Sequence, residues 1–254
     1  MSARRLLSSV AFVLAVAGCA RALPPPHEPV TEEAGRALAL LADQWREFAD
    51  LRTRADIQIM RNGERQQLQG VLLARAPASV RFEALSPFGQ PLLLVAIHDG
   101  HLTAYDASSN EAFVGPATAD TTARLLHLPF EPDDLVGVLA GRAVPPRDLR
   151  VAEILPPDEQ GRSLHLIGGD HRQRVWMDFV TGVVHQLEIT GGRYEVRITY
   201  RREPGGRLRG FDFAAGQSYV TGSVQYRDPV FGGGVEPERF RLTIPEAAKI
   251  QRLR

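Results

Sequence analysis

The residues of this chain that could carry chemistry are few and scattered. His98 and His101 form an H-x-x-H pair, but they flank Asp99-Gly100, a turn sequence, and no third ligand stands near them. The pair reads as a solvated hairpin tip. Ser86 and Ser223 lack the strand-turn-helix setting of a nucleophile elbow. Gly232-Gly233-Gly234 has neither the Lys nor the Ser/Thr of a phosphate-binding loop and reads as a flexible turn before the last strand. Asp133-Asp134 is explained as negative charge at a helix N-terminus. Asp158-Glu159 reads as a polar loop, Arg172-Gln173-Arg174 as a solvated strand start, and His171 and His185 as surface or core histidines. The single cysteine, Cys19, excludes an internal disulfide framework and a cysteine-cluster zinc site. The expectation is a protein that is not an enzyme, with no catalytic residue, metal site or cofactor.

Cys19 has a chemistry of its own. The chain starts with Arg4 and Arg5, followed by an apolar run from Leu6 to Ala17 that is too short to span a bilayer as a stable helix. Val16-Ala17-Gly18-Cys19 ends that run and resembles the bacterial lipobox. The resemblance implies cleavage before Cys19, diacylation of its thiol and acylation of the new amino terminus. The other reading is an ordinary signal peptide with an incidental cysteine. Basic residues, run length, small residues and cysteine all agree with the lipobox. Several acyl chains anchor stably where one does not. Ala20, following the cysteine, resembles an outer-membrane destination, and Pro24-Pro25-Pro26 reads as a stiff extended tether. The expected division is 1–18 signal peptide, 19–30 lipidated Cys19 and tether, and 31–254 a single domain facing the periplasm.

Composition bounds the rest. The chain has 254 residues, 30 Lys+Arg against 30 Asp+Glu, and 44% hydrophobic residues. It can bury a sizeable core, and its zero net charge argues against a nucleic-acid partner. Thr31 to Asp50 predicts one amphipathic helix: Thr31 as N-cap, Glu32 and Glu33 in the first turn, and Leu38, Leu41, Trp45 and Phe48 on one face. The period then changes to two. Ala55, Ile57 and Ile59 run to the turn Arg61-Asn62-Gly63, and Leu68 to Ala74 returns as a hairpin. Further strands follow: Val80 to Ala84, the wholly apolar Leu92 to Ile97, Leu102 to Tyr105, Val175 to Phe179, Val183 to Ile189, Tyr194 to Tyr200, Tyr219 to Tyr226 and Phe240 to Ile244. Two short helices, Thr118 to Leu126 and Pro132 to Ala140 with Gly141 as C-cap, interrupt the strands midway. These elements predict a mainly β (α+β) fold of eleven to thirteen strands. It would be a half-open antiparallel β-barrel with an N-terminal helix and the short helices inserted as a lid or plug.

Leu85-Ser86-Pro87-Phe88-Gly89-Gln90-Pro91 stands out between two strands. Two prolines and a glycine make it an irregular loop, in which Phe88 either folds back onto the core or projects as an apolar finger. The lipobox, the first helix, this Pro-apolar-Gly loop, the apolar strand after it, Leu128-Pro129, Asp134-Leu135 and Leu139-Ala140-Gly141 occur in an order that resembles the LolA/LolB lipoprotein-carrier superfamily. The outer-membrane receptor branch, LolB, is the nearest. Val138 stands about where that family has a Trp, and the stretch from Tyr226 through the glycine run is longer than the family pattern. The resemblance implies an apolar cavity that accepts acyl chains of lipoproteins or another lipid, supplied by a periplasmic LolA-like carrier. It also implies a loop, here Pro87, Phe88 and Gly89, that helps insert cargo into the outer membrane. Candidate cavity residues are Trp45, Leu93, Val95, Trp176, Phe179 and Leu187. The alternative is a non-carrier assembly lipoprotein that uses the same barrel as a protein-docking module.

Overall fold

The computed structural model describes residues 29–126, 128–191, 194–216 and 219–253. The apolar leader, Cys19 and Pro24-Pro25-Pro26 lie outside the described residues.

The first helix, α1 (Glu32–Arg46), begins where expected: the Thr31 hydroxyl accepts a bond from the Ala34 amide at 3.2 Å, with Glu32 and Glu33 in the first turn. It stops four residues short of Asp50. Asp50 is almost fully buried, and its carboxylate accepts the amides of Gly233, Gly234 and Val235 at 3.0, 3.0 and 3.3 Å. The glycine run is therefore a cradle around a buried carboxylate, and that cradle draws Asp50 into the first strand instead of the helix.

Six strands follow α1: β1 (Asp50–Arg61), β2 (Glu64–Arg75), β3 (Ser79–Leu85), β4 (Pro91–His98), β5 (His101–Asp106) and β6 (Glu111–Pro116). Then come α2 (Ala119–Leu126) and α3 (Pro132–Ala140). The second run is β7 (Val151–Asp158), β8 (Gly161–Ile167), β9 (Arg172–Met177), β10 (Val184–Gly191), β11 (Tyr194–Arg202), β12 (Leu208–Ala215) and β13 (Val220–Phe231), with β14 (Lys249–Arg252) last. The two short helices match the expected spans. Pro132 opens α3, and Gly141, at φ 71°, caps it in the left-handed conformation that glycine adopts without strain.

All fourteen strands form one sheet in the order β14-β6-β5-β4-β3-β2-β1-β13-β12-β11-β10-β9-β8-β7. Pairing is antiparallel except for β14 on β6. The ends of the order do not meet, so the fold is mainly β and half-open, as the sequence predicts. The 12-residue β1 joins the halves: Ala55 faces Gly70 of β2 on one side and Tyr226 of β13 on the other. The outer edge of β7 carries a short parallel bridge from Val30 to Ala152.

One face of the sheet is concave and apolar. Leu51, Phe82, Ile97, Leu164, Leu187, Ile198 and Tyr226 belong to one continuous core with Leu41 of α1 and Leu135 to Ala140 of α3. α3 lies across β2 and β3, and α1 lies along β7. The buried Tyr226 hydroxyl donates to the Leu139 carbonyl at 2.8 Å and ties β13 to α3.

The C-terminal segment departs from expectation. Phe240 to Ile244 is no strand; Pro237–Phe240 is a turn of 3₁₀-helix, and the last strand is Lys249–Arg252. The cause is the opposite, convex face. Phe240 is fully buried there and stacks on His98 at 6.0 Å, while Arg81 donates to the carbonyls of Arg239 and Arg241 at 2.9 and 2.6 Å. Those carbonyls are taken by a side chain instead of a ladder. The segment straps the convex face of β3 to β5. The strap also covers Ala96, an outward-facing residue of the apolar run Leu92 to Ile97, while Leu92 at the opposite end of that run stays exposed.

Candidate functional site

The loop between β3 and β4 is held by its own backbone. The Ser86 amide donates to the Gln90 carbonyl at 2.8 Å and the Gly89 amide to the Ser86 carbonyl at 2.9 Å. The Ser86 hydroxyl also accepts the amides of Phe88 and Gln90 at 3.3 and 3.1 Å. Gly89, at φ 78°, allows this closure. Pro87 and Phe88 are thus carried on a braced turn, and Phe88 is 91% exposed. Of the two sequence readings, the side chain projects and does not fold back.

Behind the loop lies the concave wall. Ile57 faces Leu68 across β1 and β2; Ala84 faces Leu93 across β3 and β4; Ala104 faces Phe113 across β5 and β6. The registers place Ile57, Ile59, Leu68, Leu93 and Phe113 on the core side. They are only partly buried, as are Leu125 and Leu126 of α2 and Leu128 beyond it. The first half of the sheet therefore leaves apolar side chains of its inner face partly exposed. The second half is filled: Leu187, Val175, Ile198 and Phe213 pack into the core with at most 6% exposure.

The predicted cavity residues separate accordingly. Leu93 lies among the partly exposed side chains. Val95 and Leu187 face inward but are closed into the core at 5% and 2% exposure. Trp45 is half-buried on α1 and stacks on Phe48 at 5.9 Å. Phe179, in the turn after β9, packs under the Arg162 guanidinium at 5.2 Å. Trp176 must be corrected. It pairs with Ser163, one residue out of phase with the inward pair Val175 and Leu164, so it occupies the opposite face of β9. There its indole donates to Asp158 at 3.1 Å beneath the Arg174 guanidinium. The alternation around Val175 carried that signal. Ile57, Ile59, Leu68, Phe113 and the α2 leucines were absent from the candidates, because only the packed helices show where the core ends.

The polar residues have structural partners. The ring of His98 lies 3.0 Å from the Ser79 hydroxyl and that of His101 2.9 Å from the Asp99 carbonyl. Among the described residues no cluster of three or more His, Cys, Asp or Glu could hold a metal. Among them, too, no helix is long and apolar enough to cross a membrane. At the junction of α2 and α3, Glu131 accepts the Ala119 amide at 3.2 Å and Asp133 pairs with Arg147 at 2.7 Å.

Asp134, beside them, is perturbed. Burial first, then the charges of Asp133 and Glu131, push its carboxyl up to about 7, against the opposing pull of Arg147. The folded protein therefore keeps this proton at pH values where the unfolded chain has lost it. The residue costs nothing below pH 3.8 and increasingly destabilises the fold as pH rises to about 7. Asp134→Asn is expected to leave the urea midpoint almost unchanged at pH 4. At pH 8 it should raise stability by up to about 4 kcal/mol. An equal effect at both pH values would contradict this account.

Comparison with protein-family models and with curated proteins finds no match. Solved structures do match. A domain assigned to outer membrane lipoprotein sorting, from Vibrio parahaemolyticus, superposes with a TM-score of 0.56 at 13% identity, over 82% of this chain and 97% of that one. A LolA superfamily protein from Nitrosomonas europaea gives 0.56 at 11% identity, over 81% and 97%. This chain has the LolA-like fold. A DUF1329 family protein from Desulfovibrio piger shares it too, with a TM-score of 0.57 at 13% identity over 85% and 98%. At such identity the likeness is one of fold, and it extends over nearly the whole length of each neighbour.

Proposed function

We propose that this protein is a non-enzymatic outer-membrane lipoprotein, anchored through Cys19 and facing the periplasm. It binds acyl chains of lipoproteins, or another lipid, in its half-open barrel and assists their insertion into the membrane. The observation that carries this reading is the partly exposed apolar wall of Ile57, Ile59, Leu68, Leu93 and Phe113 on the inner face, with Phe88 projecting from the β3–β4 loop at the same end of the sheet. Each methylene buried there is worth about 0.8 kcal/mol. An acyl chain of ordinary length is therefore held strongly, yet it leaves at little cost for a bilayer that buries it equally. Handover then needs only an affinity order: above that of a soluble LolA-like donor and below that of the membrane. The sorting domain and the LolA superfamily protein of the same fold support this reading, as does the lipobox-like Val16-Ala17-Gly18-Cys19.

The test is native mass spectrometry of residues 27–254 exported to the periplasm, alone and with Leu93→Asp. Co-purified acylated species are expected on the unaltered protein. The variant should lose them by tenfold or more, since a carboxylate in an apolar wall costs at least ~1.4 kcal/mol. If the unaltered protein is bare and takes up no fluorescent fatty acid, the barrel is closed to lipid. The protein-docking module then becomes the better account.

A further inference from the structure

The exposed apolar side chains are not spread evenly. Nine large ones stand exposed among the described residues: Val30, Met60, Phe88, Leu92, Val180, Tyr219, Val230, Phe231 and Ile250. Strand directions sort them. β1 and β3 run toward the same end of the sheet, where the turns 62–63 and 86–90 lie. Val220 faces Arg61, so Tyr219 sits at that end as well. Leu92 opens β4 there, and Ile250 faces Ala112 close to the β5–β6 turn of that end. Val30 bridges Ala152 at the start of β7, beside Leu166 and next to the β8–β9 turn, again at that end. Only Val180, Val230 and Phe231 belong to the other end.

Two further observations single out this end. Tyr219 is 81% exposed although its backbone takes a left-handed φ of 51°, a conformation that costs a bulky residue about 1–2 kcal/mol and returns no packing. And Pro29 and Val30 run parallel to β7, entering from this same end. The ten residues from Cys19 to Pro29 reach at most about 35 Å. Passing along the eight-residue β7 to the opposite end uses about 26 Å of that before any stand-off from the bilayer.

We infer that this end of the half-barrel lies on the bilayer that holds Cys19, and that Tyr219 is a second interfacial anchor beside Phe88. The inference rests on the lipid-anchored reading above. A tyrosine suits the role: its ring enters the interface while its hydroxyl stays with headgroups and water. Two aromatic contacts on separate hairpins fix the tilt of the barrel, which a single finger does not. The mouth beside Phe88 is then held toward the lipid that receives cargo.

The test uses the full lipidated chain in vesicles of phosphatidylethanolamine, phosphatidylglycerol and brominated phosphatidylcholine. Because Cys19 is the only cysteine and is acylated in this reading, Phe88→Cys, Tyr219→Cys and Val180→Cys each accept one environment-sensitive fluorophore. Labels at 88 and 219 are expected to lose roughly half their emission to brominated lipid, as groups 5–10 Å into the interface do, while the label at 180 stays bright. Tyr219→Asp, unlabelled, should cut vesicle quenching of a label at 88 severalfold. Its thermal midpoint should not fall, since Asp adopts the left-handed conformation more readily than Tyr, and this separates a lost contact from misfolding. Quenching at 88 but not at 219 overturns the second anchor and leaves the finger standing. Quenching at neither, with acyl chains still carried, overturns the orientation and the insertion role together and leaves lipid binding intact. Quenching at 180 alone puts the opposite end on the membrane.

Discussion

Phe88→Glu is expected to leave acyl-chain binding within about twofold of the unaltered protein and to slow delivery of acylated cargo into vesicles 10- to 100-fold. Burying a phenylalanine side chain is worth about 1.5–3 kcal/mol, and the carboxylate adds repulsion from anionic headgroups. Stability should be unaffected, because the ring touches little at 91% exposure and the turn is closed by Ser86 and Gly89, not by the phenyl group. Transfer from a fluorescent-lipid donor, measured next to equilibrium binding of the same lipid, separates the two steps. Unchanged transfer removes the finger role. Loss of both binding and transfer places Phe88 in the binding site instead.

Phe240→Ala is expected to destabilise the protein by about 3–5 kcal/mol. Phe240 is fully buried on the convex face, stacked on His98 and flanked by the two carbonyls that Arg81 holds. Removing it leaves a cavity that the sheet cannot collapse to fill, since β3 and β4 are fixed by their ladders. It also loosens the strap that sets β14 on β6 and seats Leu253 against Gly115. Urea unfolding measures the loss. A cost under about 1 kcal/mol would show that the strap lies on the sheet without clamping it. Acyl-chain binding by the folded fraction should persist, because the strap and the apolar wall lie on opposite faces.

Much of this architecture was legible in the sequence, for local reasons. The α1 start rests on Thr31, Glu32 and Glu33; α3 is bounded by Pro132 and Gly141; the first hairpin turns at Asn62-Gly63, both at positive φ. Each is a short-range rule in which a residue's own backbone preference or its nearest hydrogen bond decides. Period-two alternation likewise puts Val80, Phe82 and Ala84 on one face, and the structure turns that face inward. The errors arose where a residue's environment comes from far along the chain. Leu92 to Ile97 is apolar on both faces, and nothing near it in sequence shows that Ala96 on the outer face is covered by a strap some 140 residues later. Gly232-Gly233-Gly234 looked like slack until Asp50, 183 residues away from Gly233, proved to be the group it encloses. Trp176 is the exception: the local alternation with inward Val175 already puts it on the opposite face from the cavity.

The sequence by itself determined the parts: a lone cysteine in a lipobox-like setting, alternating strands interrupted by two short helices, and an apolar residue on a proline-glycine turn. These follow from residue type and spacing alone. Only the tertiary structure decided which apolar residues are core and which are wall, because burial depends on where α1 and α3 stop. It also decided that Phe88 projects, that Tyr219 and Val30 share its end of the sheet, and that the C-terminal segment clamps the back of the barrel. Each of these is a relation between strands distant in sequence, set by β1 pairing at once with β2 and with β13.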